Sequence, residues 1–313
     1  MLISLVIPVY NEGFRVADNL KLIVDAASHA GHDLELLAID DGSEDNSCRE
    51  IEKLAEQDSR VQLISLTRNF GKEAAIYAGL ELAKGDAVVV LDADLQHPPR
   101  LIPAMIRAWE EGAYIVEAVK QERNDPSWLD RWFAKGFYWL YRILSGFDIR
   151  GHSDFKLLDR QIVDVYLALP ERYRFFRGLV NWLGIESETL PFEVEERLGS
   201  TSRWSKVKLI RYATNNITTF STIPLLIVTW LGSLTLGTGI VLALITLWQK
   251  LAGMSEAGFT TVNLLLIVLG GAVMTSLGII GHYIGRIYQE IKARPVYVLK
   301  PTKRKKPCSS PDL

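Results

Sequence analysis

The chain has 313 residues, enough for one large domain or two modest ones, and carries 35 Lys plus Arg against 37 Asp plus Glu. That balance leaves no global charge to draw it to nucleic acid. The two cysteines, Cys48 and Cys308, lie too far apart to suggest a disulfide framework or a zinc site. Charge is spread unevenly: up to about Arg211 the chain is mixed and charged, whereas Ile223–Ile287 is almost uncharged.

Met1–Pro8 lacks a basic leader and reads as a first strand, Leu2–Pro8, closed by Val9-Tyr10-Asn11-Glu12-Gly13. Val16, Leu20, Ile23, Val24 and Ala27 recur at helical spacing. A second strand, Leu34–Ile39, ends in Asp40-Asp41-Gly42-Ser43. Helix Cys48–Ala55, strand Val61–Leu66, helix Lys72–Ala83, strand Ala87–Leu91, a helix around Leu101–Trp109 and a strand at Tyr114–Val119 follow. This alternation predicts βαβ units and a mostly parallel sheet, whose ligands bind beyond the carboxyl ends of the strands. The Pro8–Glu12, Asp40–Ser43 and Asp92–Gln96 loops should therefore meet at one edge.

Val88-Val89-Val90-Leu91 runs directly into Asp92-Ala93-Asp94-Leu95-Gln96. Two carboxylates at i and i+2 and an amide two further on supply hard oxygen ligands of the kind Mg²⁺ or Mn²⁺ takes, with phosphate oxygens completing the shell. A plain surface turn is the competing reading. No G-x-G-x-x-G follows the first strand and no G-x-x-x-x-G-K-[ST] occurs anywhere, which weakens dinucleotide and P-loop readings.

From Trp128 to Gly146, aromatic and apolar residues alternate with Arg131, Lys135 and Arg142, as in a helix lying at a membrane surface or in one packing a single face on a core. Gly151–Arg160 reads as a turn and a short strand carrying Asp154. Arg203, Lys206, Lys208 and Arg211 form a basic face before two apolar runs, Ile223–Trp248 and Thr261–Gly285, each longer than the about 20 residues that cross a hydrocarbon core. The link between the runs carries only Lys250 and Glu256, whereas Arg286, Lys292, Arg294 and Lys303–Lys306 follow. The positive-inside rule then predicts a membrane hairpin with the main domain and both termini in the cytoplasm. The predicted organisation is a catalytic domain over 1–202, a basic juxtamembrane segment over 203–222, membrane helices over 223–248 and 261–285, and a basic tail over 286–313. Gly281-xxx-Gly285 and Ser233-xxx-Gly237 offer small faces through which the helices could form a homo-oligomer.

Five stretches together carry a family resemblance: Val6–Glu12, Asp40–Asp45, Arg68-Asn69-Phe70-Gly71-Lys72-Glu73, Asp92–Pro99 and Asp154–Arg160. They resemble family-2 glycosyltransferases of the GT-A fold, in the polyprenyl-phosphate branch that includes bactoprenol glucosyltransferases, dolichol-phosphate mannose synthases and the aminoarabinose transferase of lipid A modification. The resemblance implies an α/β GT-A catalytic domain followed by a two-helix transmembrane hairpin. It implies an inverting transfer of one sugar from a nucleotide-sugar, UDP-glucose favoured over GDP-mannose or UDP-aminoarabinose, to polyprenyl phosphate at the cytoplasmic face of the plasma membrane. By the same resemblance Pro8, Tyr10, Asn11, Glu12, Asp40, Asp41, Lys72 and Asp92 bind the donor nucleotide. Asp92, Asp94 and Gln96 hold Mg²⁺ or Mn²⁺, Asp94 and Asp154 are catalytic, and Arg123, Arg131 and Arg203 take the acceptor phosphate. The chain departs from the family pattern with Ser153-Asp154-Phe155-Lys156 for Gly-Asp-Phe-Arg and with Asn215-Asn216-Ile217 for Asp-Gly-Ile. A processive polysaccharide synthase fits less well, since Ser202-Arg203-Trp204 lacks the Gln of Gln-x-x-Arg-Trp. A non-catalytic membrane scaffold is the reading from another class.

Overall fold

The structure is a computed structural model that describes residues 1–120, 153–192, 223–252 and 259–301. It divides into a sheet-containing unit and a helical unit. Strands β1 (Leu2–Val9), β2 (Asp33–Asp40), β3 (Val61–Ser65), β4 (Ala87–Val90), β5 (Ile115–Lys120), β6 (Lys156–Asp159) and β7 (Glu188–Phe192) form one sheet in the order β3-β2-β1-β4-β6-β5-β7. The first four are parallel, β6 runs antiparallel to both β4 and β5, and β7 is parallel to β5. The expected α/β, mostly parallel sheet is thus present, and the bounds of β1 to β5 differ from those read in the sequence by a single residue at most at each end.

Continuous apolar strands follow from helices on both faces. On one face Ile3, Leu5 and Ile7 pack with Val16, Leu20 and Ile23 of α1 (Val16–Ser28) and with Met105 and Ile106 of α4 (Ile102–Glu110). Helix α2 (Ser47–Gln57) sits beside α1. Helix α3 (Lys72–Leu82) lies so close to β1 that a Cβ on Gly79 would fall 2.2 Å from Val6 Cγ1. Two short helices, α5 (Arg160–Ala168) and α6 (Phe176–Trp182), follow β6. Asp159 caps α5 by accepting from the Gln161 N–H (2.9 Å), and its other oxygen accepts from Trp109 Nε1 (2.8 Å).

The unit also contains Pro295–Lys300, part of the stretch expected as a free basic tail. This strap lies antiparallel along the outer edge of β3: the Thr67 N–H donates to Val298 O (2.9 Å) and the Lys300 N–H to Ser65 O (2.8 Å). The Tyr297 hydroxyl donates to Glu81 (2.9 Å). An otherwise open sheet edge is thereby paired.

In the helical unit α7 (Ile223–Leu251) and α8 (Phe259–Ile291) pack on each other and leave Trp230, Leu234, Met274 and Leu277 uncovered. Among the described residues one span, Val268–Ile291, is long and apolar enough to cross a membrane, and Val228–Leu242 is a shorter apolar stretch. The basic aromatic stretch 128–146, the juxtamembrane segment 203–222 and the Lys303–Lys306 run lie outside the described residues.

Candidate active site

Parallel strands β1, β2, β3 and β4 all end at one edge of the sheet, and the loops leaving them meet there around a cavity of about 270 Å³. Pro8, Val9, Tyr10 and Glu12 line it from the end of β1, and Asp41 from the end of β2. Asn69, Gly71 and Lys72 come from the β3–α3 connection, and Asp92, Ala93 and Asp94 from the end of β4. The three loops expected to converge do so. Because β6 is antiparallel, its start lies beside the end of β4, with Lys156 opposite Val90, so Asp154 arrives at the same edge.

Internal bonds shape the loops. Asp41 is buried, and its two oxygens accept the N–H groups of Phe70 (2.7 Å) and Gly71 (2.8 Å), tying the β2 loop to the approach into α3. Burial pushes the Asp41 carboxyl up, against the pull of those two N–H groups. The same approach explains Gly42: at φ +71° a Cβ there would lie 2.5 Å from the Arg68 carbonyl carbon. Ser47 Oγ accepts from the N–H groups of Glu12 and Gly13, both at 3.0 Å, fixing the β1 loop.

Two residues expected to bind nucleotide do not line the cavity. Asp40 is buried, and its oxygens accept from the Ser43 N–H (3.0 Å) and from Cys48 Sγ (2.9 Å), so it shapes its own turn. Burial and the Asp40 charge push the Cys48 thiol up to about 11. Asn11 adopts φ +53° and spends its side-chain oxygen on the Glu44 N–H (2.9 Å). Pro8, Tyr10, Glu12, Asp41, Lys72 and Asp92 do line it. Arg123, Arg131 and Arg203 lie outside the described residues.

The electrostatic centre is Lys72, in the first turn of α3. Its ammonium bridges Asp92 Oδ1 (2.5 Å) and Asp154 Oδ2 (2.6 Å). Burial works against that charge, but the Asp154 and Asp92 carboxylates outweigh it and hold the ammonium above the ordinary lysine range. Asp154 in turn receives Arg177 of α6 as a fork, Nε to Oδ1 (2.5 Å) and Nη2 to Oδ2 (2.9 Å). Burial alone would raise its carboxyl, yet Lys72 and Arg177 together hold it far below the usual carboxylate range. Glu73 accepts the Phe176 N–H (2.8 Å) and so registers α6 against α3. Burial pushes its carboxyl up to about 7, with the Asp154 charge adding to the rise.

Arg177, Glu73 and His97 were not singled out by sequence reasoning as site residues. For Arg177 the available signal is one cation in a helix whose neighbours Phe176, Leu179 and Val180 are buried. His97 packs edge-on against Phe192 (5.5 Å) and against Phe155 (5.6 Å), and burial pushes its imidazole toward the neutral form. Two residues beyond Asp154, a fully buried Lys156–Glu117 ion pair sits at the register position where β6 meets β5.

Asp94 is held by Gln96, whose side-chain amide donates at 2.6 Å and whose backbone N–H donates at 3.1 Å. Asp92, Asp94 and Gln96 thus present an all-oxygen donor set on one loop, suited to Mg²⁺ or Mn²⁺. Among the described residues no group of three or more carboxylates, imidazoles or thiols could hold a metal alone. A cation on this loop therefore needs oxygens from a bound ligand, and the set fits an ion shared with a diphosphate. Asp92, Asp94 and the Lys72 ammonium line the same cavity, a mixed-charge lining suited to a polyanion bridged by a metal.

Residues 4–166 match the model of glycosyl transferase family 2. The bactoprenol glucosyl transferase of Shigella phage SfII is 36% identical over 309 residues, covering 98% of this chain and 100% of that one. The prophage bactoprenol glucosyl transferase homolog of Escherichia coli is 35% identical over 306 residues, covering 97% and 100%. Among solved structures, the mannosyltransferase PcManGT from Pyrobaculum calidifontis in complex with GDP-Man and Mn²⁺ aligns at 17% identity and a TM-score of 0.47, over 88% of this chain and 86% of that one.

Proposed function

The chain belongs to glycosyl transferase family 2, and on that premise we propose that it moves one glucose from UDP-glucose to polyprenyl phosphate at the cytoplasmic face of a membrane. The observation that carries this reading is the near-full-length similarity to enzymes named for glucosyl transfer to bactoprenol, which spans the helical unit as well as the catalytic one. The uncovered apolar faces of α7 and α8 support a lipid-embedded hairpin. The cations before 223 and after 285 support a cytoplasmic catalytic unit.

In this reading an oxygen of the acceptor phosphate attacks the glucose C1 as the bond from C1 to the UDP oxygen breaks, inverting the anomeric centre. When bound, a divalent ion held by Asp92, Asp94 and Gln96 supplies Lewis-acid neutralisation of the departing diphosphate. Pro8, Tyr10, Glu12 and Asp41 hold the nucleoside, and Lys72 adds positive charge beside the diphosphate. Arg123, Arg131 and Arg203 offer guanidinium forks to the acceptor phosphate. Asp154 is a positioning anion: its oxygens are engaged by Lys72 and Arg177, and both cations keep its carboxylate ionised. A phosphate monoester is already largely ionised near neutral pH, its second pKa being about 6, so the reaction needs no strong base.

The test uses the full chain in detergent with undecaprenyl phosphate, Mn²⁺ and radiolabelled UDP-glucose, GDP-mannose and UDP-aminoarabinose in parallel. The expected result is one glucose per lipid and little transfer from the other donors. Transfer from GDP-mannose or UDP-aminoarabinose alone would move the protein to the corresponding branch. No lipid-linked sugar from any donor, with the protein folded, would overturn the reading.

A further inference from the structure

The Asp92–Gln96 loop, proposed above to hold the metal, is met by internal donors. Asp92 is bound to the Lys72 ammonium, and Asp94 is bound twice by Gln96, so two of the three candidate ligands are already occupied by internal donors. Lys72 does not depend on Asp92, however. The same ammonium is held by Asp154 at 2.6 Å, and Asp154 is anchored by the Arg177 fork. Asp154 is nearly inaccessible at 6% side-chain exposure, whereas Asp92 is 26% and Lys72 39% exposed. Lys72 is therefore pinned at its buried end and released most readily at its open end, where Asp92 faces the cavity.

From this geometry we infer that Lys72 is an internal counter-cation occupying the Asp92 side of the metal site, which an incoming divalent ion displaces while Asp154 retains it. The inference rests on the reading of Asp92, Asp94 and Gln96 as metal ligands and goes beyond it. It explains how two acids can sit side by side in a protein that has not yet met its donor. Without the ammonium, Asp92 would face Asp154 and Asp94 with no cation of its own, and like charges at short range repel. It also sets an order: the ion gains Asp92 only by replacing an ion pair, so it binds weakly until a diphosphate contributes further oxygens. Lys72, freed from Asp92 and still tethered to Asp154, is then left beside that diphosphate. Metal and donor thereby become mutually dependent ligands, a coupling that must be reciprocal.

The experiment measures Mn²⁺ affinity by electron paramagnetic resonance on the full-length protein in detergent, with and without UDP, for wild type, Lys72→Met and Arg177→Met. The wild type should bind Mn²⁺ weakly alone and at least 10-fold more tightly with UDP. Lys72→Met should bind Mn²⁺ alone about 10-fold more tightly than wild type and should lose most of the gain from UDP. Arg177→Met also removes one positive charge from Asp154 but leaves the Lys72–Asp92 pair, so its Mn²⁺ affinity should move by less than about threefold. Equal tightening in both variants would mean a general field effect and would overturn displacement. Unchanged affinity in Lys72→Met, with normal Mn²⁺ binding, would overturn displacement and leave the metal site standing. No Mn²⁺ binding by any variant, with or without UDP, would overturn both.

Discussion

Asp154 shows how far charge compensation decides what a carboxylate can do. With Lys72 and Arg177 on its two oxygens, its pKa is depressed, so it stays ionised across any practical assay range. Its contribution to stability is present above the ordinary aspartate pKa of about 3.9 and is lost only as pH falls through the lower folded value. The rate should therefore show no acidic limb assignable to Asp154 between pH 5 and 8. Asp154→Asn should cost turnover at least 100-fold while changing UDP affinity less than about threefold, because it leaves two cations short of one charge rather than removing a nucleotide contact. A pH-rate profile with a UDP titration on both proteins checks this, and an acidic limb in the wild type that vanishes in the variant would make Asp154 a proton acceptor. Glu73 has the opposite sign. Its folded pKa, raised by burial to about 7, means that the folded state holds this proton more tightly than the unfolded chain does. Its contribution to stability falls as pH rises from about 4.5 to about 7 and is level above that. Glu73→Gln keeps an acceptor for the Phe176 N–H and removes the titration. The variant's apparent Tm relative to wild type should therefore rise steadily from pH 5 to pH 7.5 and then stay level.

Secondary elements explain why some of this was readable in the sequence and some was not. Strands β1, β2 and β4 are mostly apolar on both faces because helices cover both, with Ser4 and Glu35 as buried polar exceptions, and each ends abruptly in polar or acidic residues. That pattern located the cavity edge from the sequence alone. What it could not carry was the antiparallel entry of β6, a four-residue strand with no periodicity to speak for it, which brings Asp154 to the edge. Helix α6 has seven residues and β7 five, too short for a repeat to emerge, so Arg177 had no frame to be read in. Asp40 and Asp41 look equivalent in the sequence, as adjacent acids at a strand end, but successive side chains point opposite ways, and of the two Asp41 lines the cavity. The strap was hidden by basic neighbours, although Val296-Tyr297-Val298-Leu299 is a β-forming run. The loop packing at Gly42 gives the sharpest prediction at this scale. Gly42→Ala adds a Cβ 2.5 Å from the Arg68 carbonyl carbon at a positive φ, so the β2 and β3 loops must part and Asp41 must loosen from Phe70 and Gly71. The expected cost is about 1–3 kcal/mol, read as a lower Tm, together with a UDP affinity at least 10-fold weaker. An unchanged UDP affinity would detach the Asp41 loop from nucleotide binding.

On the scale of the whole chain, the sheet-containing unit is not complete before the two long apolar helices begin. The chain leaves it, forms α7 and α8, and returns to pair Pro295–Lys300 with β3, so both ends of the helical unit are joined to the sheet-containing one. If α8 spans the bilayer, its middle must tolerate no charge. Leu277, 57% exposed near the centre of the apolar span Val268–Ile291, is left open by the described residues and would face lipid in that case. Leu277→Arg would place a cation where insertion costs about 2.5–3.5 kcal/mol, enough to move most of the protein out of the membrane or leave α8 uninserted. Lys292→Ala, beyond the end of α8, removes a charge without adding any to the span. Expressed in cells and washed with alkaline carbonate, the wild type and Lys292→Ala should stay in the pellet, and Leu277→Arg should move largely to the supernatant or be degraded. If all three stay in the pellet in equal amounts, Leu277 does not face the hydrocarbon centre of a bilayer.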